Sequence, residues 1–350
     1  FPTRRSSDLV YRKTGEDWTT ASWSRPKPEK TVGIVRPGAY GDSLWGSSIA
    51  AEFKRQGYHV TLYTGPAGVE VLEHDPNIDR LVNIRGHWFS DDDLLLYYLW
   101  ESKKHTRFVN LIGSVESFLL PHPNEMAYYW PHAVRKQRMN QNYLEAMHEV
   151  AEIPFVMGQR FYPSAEERSW ASEQRRKLFP GPLVAIAPTG SGGPKTWPHV
   201  QRFMDLMAQI GVYTVVLGEL RQELVPDERY GCVLGKDLPI RLAMTLALAA
   251  DVVVGTESAI VNAVAGEDNL KVVLLSHSSP ENLTKHWVNT MSVEPEGLAC
   301  YPCHRLHKGF EFCARDPGTG FAKCQAMASA EAIADAIWPW LSRVREREAA

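Results

Sequence analysis

One order of events, found twice, constrains this chain more than any other feature. Residues 31–36 (TVGIVR) form a short apolar, β-branched run that leads into the glycine-containing turn 37–42 and a helical stretch at 43–56. Farther along, residues 183–188 (LVAIAP) lead into the glycine-rich turn 189–196 and a helical stretch at 197–210. A short, wholly apolar run is a strand covered on both faces, and a tight turn and helix after it open a βαβ unit.

Each opening is followed by more of the same. In the first half, residues 58–64 (YHVTLYT), 80–84 (RLVNI) and 107–113 (RFVNLIG) read as strands, with helices at 67–74 and 137–152. In the second, 212–218 (VYTVVLG), 251–256 (DVVVGT) and 271–276 (KVVLLS) read as strands. Helices are expected there at 165–178, 238–250 and 258–265, and a closing helix at 330–344. Helix 197–210 carries Phe203, Leu206, Met207 and Ile210 on one face, the spacing of a core-facing stripe. The segment 153–164, with Pro154 and Pro163, joins the halves. The expected fold class is α/β: two Rossmann-like βαβ domains with mainly parallel sheets facing each other across a cleft. They span 31–160 and 161–330, after an extension at 1–30 and before a C-terminal helix at 331–350. Ligands of such sheets bind beyond the carboxyl ends of the strands.

Composition excludes several classes. A length of 350 residues suits two domains. With 44% hydrophobic and 23% charged residues, the chain is neither disordered nor collagen-like nor a small disulfide-stapled scaffold. No apolar run approaches the roughly 18 residues of a membrane-spanning helix. The net charge of −3 offers no global positive field for nucleic acid. Residues 1–9 (FPTRRSSDL) look like a translated sequencing adapter, and without their two Arg and one Asp the net charge becomes −4. Residues 10–29 are polar and proline-containing, with no apolar core. Arg135, Lys136 and Arg138 form the notable basic cluster of the first half, suited to anionic phosphates.

Three strand-to-helix turns carry residues fit for chemistry. In the first, Gly38 and Gly41 let the backbone approach a ligand, and Asp42 stands near a helix N-terminus, where Asp42 or Ser43 equally suits a helix cap. In the second, Thr189, Gly190, Ser191 and Lys195 form a glycine-rich turn that can hold a pyrophosphate through N–H groups and one positive charge. Its spacing is not that of a Walker A loop, a plain connection is the alternative, and Pro198 suits the first helical turn. In the third, Glu257 can accept sugar hydroxyls, and Ser258 can cap a helix or meet phosphate. His277 and Glu281, after the strand 271–276, are either ligand contacts or structural. Tyr40 and Trp45 are either ligand contacts or core. Asp91, Asp92 and Asp93 read as an acidic first turn rather than a metal motif.

The five cysteines separate into Cys232, expected in a core strand, and a cluster in 300–324. Cys300-x2-Cys303-x9-Cys313-x10-Cys324, with His304 and His307 nearby, suits a structural zinc. Two disulfides or reduced thiols are the alternatives. Because the segment lies far in sequence from the strand-end turns, any metal there is expected to be structural.

Three stretches together resemble the family 9 glycosyltransferases, which include the ADP-heptose:lipopolysaccharide heptosyltransferases: IVRPGAYGDSLWGSSIAAEFKRQGYHVTLYTGPAGVEVLEHDPNIDRLV, IAPTGSGGPKTWP and LAMTLALAADVVVGTESAIVNAVAGEDNLKVVLLSHSSPENL. The resemblance implies a GT-B fold and an inverting enzyme that needs no catalytic metal or other cofactor. It implies Asp42 as the base that deprotonates the acceptor hydroxyl and Lys195 as the charge that stabilises the departing nucleoside diphosphate. The family's acidic-Ser/Thr-Gly-x-x-His segment matches Glu257 to Asn262, with Glu, Ala259 and Asn262 replacing the usual Asp, Gly and His. Glu257, Ser258, Asn262 and His277 are thereby donor-side candidates.

The function expected is sugar transfer, with heptose the family's best-known sugar, from a nucleotide-diphospho-sugar to a hydroxyl of a cell-envelope glycan such as lipopolysaccharide. Another acceptor, such as a modified nucleic-acid base, or a non-catalytic nucleotide-sugar-binding role are the alternatives. The location expected is cytoplasmic, with at most peripheral contact at the inner membrane face, and no stable nucleic-acid partner.

Overall fold

The computed structural model describes residues 10–11, 29–85, 90–235 and 237–349, so the adapter-like string lies outside the described residues. The described residues divide into two compact units, those up to Ser114 with Leu144–Tyr162, and Val115–Tyr143 with those from Pro163 onward.

The first unit holds β1 (Val10–Tyr11), β2 (Thr31–Val35), α1 (Tyr40–Arg55), β3 (His59–Thr64), α2 (Pro66–Leu72), β4 (Arg80–Asn83), α3 (Asp91–Ser102) and β5 (Arg107–Asn110). The sheet order is β1-β4-β3-β2-β5. All pairs are parallel except the two-residue β1, which runs antiparallel on the β4 edge. Order reverses between β2 and β5, so the turn after β2 opens at the switch point of this sheet. Val35, Tyr63, Val82, Ile84 and Tyr98 form a buried cluster beneath α3.

The chain then forms α4 (His132–Arg138) in the second unit and returns through α5 (Tyr143–Val150). These are two helices where one is expected over 137–152. The Asn282 amide donates to the carbonyls of Met139 and Gln141, and the Asn142 amide donates to those of Glu281 and Asn282. Carbonyls engaged by side chains in this way belong to an unwound connection rather than a helical ladder.

The second unit continues with α6 (Ala165–Leu178), β6 (Leu183–Ala187), α7 (Val200–Gln209), β7 (Tyr213–Leu217), β8 (Gly231–Gly235) and α8 (Ile240–Leu248). It ends with β9 (Val252–Thr256), α9 (Ala259–Ala263), β10 (Leu270–Leu274), β11 (Thr290–Val293), α10 (Lys323–Ala326) and α11 (Ala330–Ala349). Its sheet is wholly parallel, in the order β11-β10-β9-β6-β7-β8. Every residue of β6, β9 and β10 is buried, as the unbroken apolar runs require of strands covered on both faces. Val184, Ile186, Phe203, Val254, Val272 and Ile337 pack into one core. Order reverses between β6 and β9, so the turns after these two strands share the switch point.

Helix α7 begins three residues later than expected. Trp197 is held in the preceding turn instead, its backbone N–H on Pro188 O (2.9 Å) and its indole on Ala328 O (2.7 Å). Pro198 therefore precedes the helix rather than opening it. Cys232 lies in the edge strand β8 and is only half-buried.

Candidate functional site

In the first unit the turn after β2 places Asp42 inside the first turn of α1, not before it, because the helix starts at Tyr40. Asp42 Oδ2 accepts the Ala39 N–H at 2.9 Å, and Oδ1 stands 3.7 Å from the Arg36 guanidinium. The carboxylate thus does the work of a helix cap from within the helix while remaining partly exposed. Gly38 is required beside it, since a Cβ there would lie 2.6 Å from Asp42 Cβ. Gly41 occupies the second position of α1. Tyr40 donates to Glu70, and Trp45 is buried with Arg36 over its ring, so Trp45 is core.

In the second unit the glycine-rich turn folds back on itself. Thr189 and Thr196 pair as an antiparallel bridge, and Gly190 N–H donates to Lys195 O at 2.7 Å. The Lys195 side chain lies on Gly190, where a Cβ would meet Lys195 Cε at 2.8 Å. Lys195 is thereby buried, while Ser191 remains exposed. Around the switch point the hydroxyls of Thr189, Thr196, Thr256 and Ser258 are buried with no hydrogen-bond partner. Ser258 sits at the N-cap of α9 without capping it. Buried hydroxyls are normally satisfied. Four orphans around two adjacent strand ends, with a buried ammonium on the same turn, form a donor-rich lining suited to an anion.

Glu257 differs from its expected role. Oε1 accepts from the N–H groups of Ser276 (2.9 Å) and Ser278 (3.1 Å), and Oε2 meets His277 Nε2 (2.7 Å) and Ser276 Oγ (3.2 Å). Its oxygens are occupied by the protein, so Glu257 anchors the loop after β10 rather than presenting free lone pairs to a sugar. Burial alone would raise its pKa. The His277 contact, the Lys195 charge and the Ser276 N–H outweigh burial and hold it at about 2. Burial holds the His277 pKa below its ordinary value, so the neutral ring donates to the carboxylate. Asn262 is buried and donates to Ser258 O at 2.9 Å, inside α9. Glu281 is on the surface, paired with Lys285.

The cysteine-rich segment, remote in sequence, is adjacent in space. Cys300, Cys303, Cys313 and Cys324 line one cavity of about 50 Å³ together with Lys195 and His277. His304 N–H donates to His277 O (3.0 Å), and a Cβ at Gly192 would lie 2.4 Å from His307 O. The segment therefore buttresses the Lys195 turn directly. All five cysteines are free thiols. Burial pushes Cys303 up to about 12 and Cys313 to about 11, and raises Cys324 further. Four thiols lining one cavity are suitable donor chemistry for a tetrahedral ion. Among the described residues, however, no three His, Cys, Asp or Glu side chains are disposed as a ligand set.

Arg135 is not a surface cation. It is buried, with Nε on Cys303 O (2.8 Å) and Nη1 on Trp130 O, which leaves Lys136 and Arg138 exposed. Among the described residues no helix is long and apolar enough to cross a membrane.

No family model and no curated protein matches the chain. Solved structures do. A family 9 glycosyltransferase from Veillonella parvula aligns at a TM-score of 0.62 and 15% identity, covering 90% of this chain and 98% of its own. The E. coli ADP-heptose lipopolysaccharide heptosyltransferase II aligns at 0.60 and 14% identity, over 89% and 99%. The fold is GT-B. The E. coli heptosyltransferase TibC, described as dodecameric and iron-containing and solved with ADP-D-β-D-heptose, aligns at 0.58 and 13% identity, over 91% and 77%. Within this GT-B chain the doubly wound order of the second sheet puts its switch point at the turns of Thr189 and Thr256, the place where sheets of this kind bind ligands.

Sequence reasoning missed three features: in the second unit the orphaned hydroxyls of Thr196 and Thr256 and the Ser276 and Ser278 N–H groups on Glu257, and in the first unit Arg36 beside Asp42. The threonines carried a signal, since each sits where a strand or glycine turn reaches its carboxyl end. The others depend on contacts between segments.

Proposed function

We propose that this chain is an inverting glycosyltransferase that moves a sugar from a nucleotide-diphospho-sugar to a hydroxyl of a cell-envelope glycan. The observation that carries the reading is the lining of the second unit's switch point, where the orphaned hydroxyls of Thr189, Thr196, Thr256 and Ser258 share strand-end turns with buried Lys195. A nucleoside diphosphate supplies the acceptor oxygens these four hydroxyls lack. The heptosyltransferases of the same fold include one solved with ADP and one with ADP-heptose. ADP-heptose is therefore the first donor to test, and lipopolysaccharide core the first acceptor.

In this reading Lys195 neutralises charge that grows on the leaving diphosphate as the glycosidic bond breaks. Asp42 takes the proton of the acceptor hydroxyl as its oxygen attacks the anomeric carbon from the opposite face. Arg36 and the Ala39 N–H orient that carboxylate. Glu257 acts as a positioning residue by fixing the loop at His277, and Gly38, Gly190 and Ser191 shape the turns. No metal ion is assigned a catalytic role, and the location proposed is cytoplasmic, with at most peripheral contact at the inner membrane face.

Titration calorimetry with a panel of nucleotide sugars, followed by mass spectrometry of acceptor products, tests the reading. Lys195→Ala should weaken donor binding and turnover by about 100-fold. Nucleotide release with no transferred sugar across the acceptors would overturn transfer in favour of a binding or hydrolytic role.

We also propose that Cys300, Cys303, Cys313 and Cys324 hold a structural zinc. The carrying observation is the single cavity the four thiols share. Metal analysis of protein purified without added metal should find about one equivalent. It should read iron as well as zinc, because TibC is described as iron-containing, and iron in place of zinc would correct the identity.

A further inference from the structure

Helix α3 presents two unlike faces. Leu94, Tyr97 and Tyr98 pack on the cluster of Val35, Tyr63, Val82 and Ile84. The opposite face carries Leu95, Leu96, Leu99 and Trp100, each more than half exposed. At 100° per residue, Asp92, Leu95, Leu96, Leu99, Trp100 and Lys103 fall in one stripe. Both charged ends of it are exposed. Lys104 pairs with Glu101 and sits 3.2 Å over the Trp100 ring, which pins the indole at the stripe's edge. Four large apolar side chains side by side on one helix are not the scattered exposure of an ordinary surface.

The order of charges along the stripe indicates what covers it. The N-terminal end is acidic and the C-terminal end basic, with apolar residues between. Two copies laid antiparallel about a two-fold axis place Asp92 against Lys103 of the second copy, Leu95 against its Trp100 and Leu96 against its Leu99. The same pairings recur in reverse, as an isologous contact requires. A parallel arrangement would set Asp92 on Asp92 and Lys103 on Lys103. Antiparallel helix dipoles add to the preference. An anionic bilayer fits less well, because a surface-seeking helix flanks its apolar residues with Lys and Arg, whereas Asp92 and Asp93 are exposed at the start of this one.

We infer that the exposed face of α3 is a self-complementary interface through which two copies of this chain pair. The helix has 12 residues, about 18 Å of length, so the contact lies at the small end of specific interfaces and its dimer is weak, with a Kd of roughly 10–500 μM. Sedimentation velocity of the full chain over that range should show a monomer–dimer equilibrium. Leu96→Asp should abolish it while leaving the circular dichroism unchanged. Asp92→Lys and Lys103→Asp should each weaken it by about tenfold, since each sets like charges opposite. The decisive measurement mixes those two single variants. In the antiparallel register they complement each other at both ends, so the mixture should dimerise more tightly than either variant alone. A chain that stays monomeric throughout, a dimer indifferent to all of these changes, a mixture no tighter than its components, or loss of monomer only onto phosphatidylglycerol vesicles would each overturn the inference.

Discussion

His277 Nε2 lies 2.7 Å from Glu257 Oε2, with both side chains buried and both Ser276 and Ser278 donating backbone N–H groups to the same carboxylate. The pair ties the end of β9 to the loop after β10. Glu257→Gln keeps the shape but removes the charge, and should cost roughly 1–3 kcal/mol as buried donors lose a charged acceptor. The Glu257 carboxyl is held at about 2, below its ordinary 4.5. The stability it contributes is therefore complete above pH 4.5 and is lost as pH falls from there toward 2. Thermal denaturation at pH 7 and pH 3 should show wild type and E257Q converging at the lower pH.

Asp42→Asn separates two roles of one side chain. The amide oxygen still accepts the Ala39 N–H, so the helix start survives and Tm should shift by no more than a few degrees. As a base the amide is inert, and kcat should fall about 10²–10⁴-fold with the donor KM little changed. A variant that retained full turnover would remove Asp42 from the chemistry.

Gly192→Ala should be far worse than Gly309→Ala. The added Cβ at 192 meets the His307 carbonyl oxygen at 2.4 Å, whereas nothing stands within 4 Å of one at 309. The backbone of the cysteine-rich segment has to move to admit it, at a cost of about 1–3 kcal/mol. Because that segment buttresses the Lys195 turn, donor affinity measured by calorimetry should fall with stability at 192 and with neither at 309.

Lys271 is fully buried in β10, its ammonium on the Glu267 carbonyl, and burial lowers its pKa from 10.5 to about 8. Between pH 8 and 10.5 the unfolded chain holds a proton that the folded chain has lost, so stability should rise with pH across that window. Urea denaturation at pH 7.5 and 10 should show the gain. Lys271→Met should show about 2 kcal/mol of it already at pH 7.5, with the pH dependence reduced.

The sequence by itself determined the architecture. Runs such as LVAIAP and DVVVGT have no polar face to offer water, so they become parallel strands covered on both sides, and the turns after them become switch-point turns. The positions of Asp42, Lys195 and Ser258 were legible for the same reason: local order along the chain puts each in a turn or helix start after a strand. What only the tertiary structure decided was which groups have partners. Glu257 is spent on Ser276, His277 and Ser278. Arg135 is buried on Cys303 O, and the helix expected over 137–152 is parted by Asn282. The four cysteines stand beside Lys195 although more than a hundred residues separate them. Periodicity and spacing report the strand, the turn and the helix face. Hydrogen-bond satisfaction and charge pairing are settled between segments distant in sequence, and only folding brings those together.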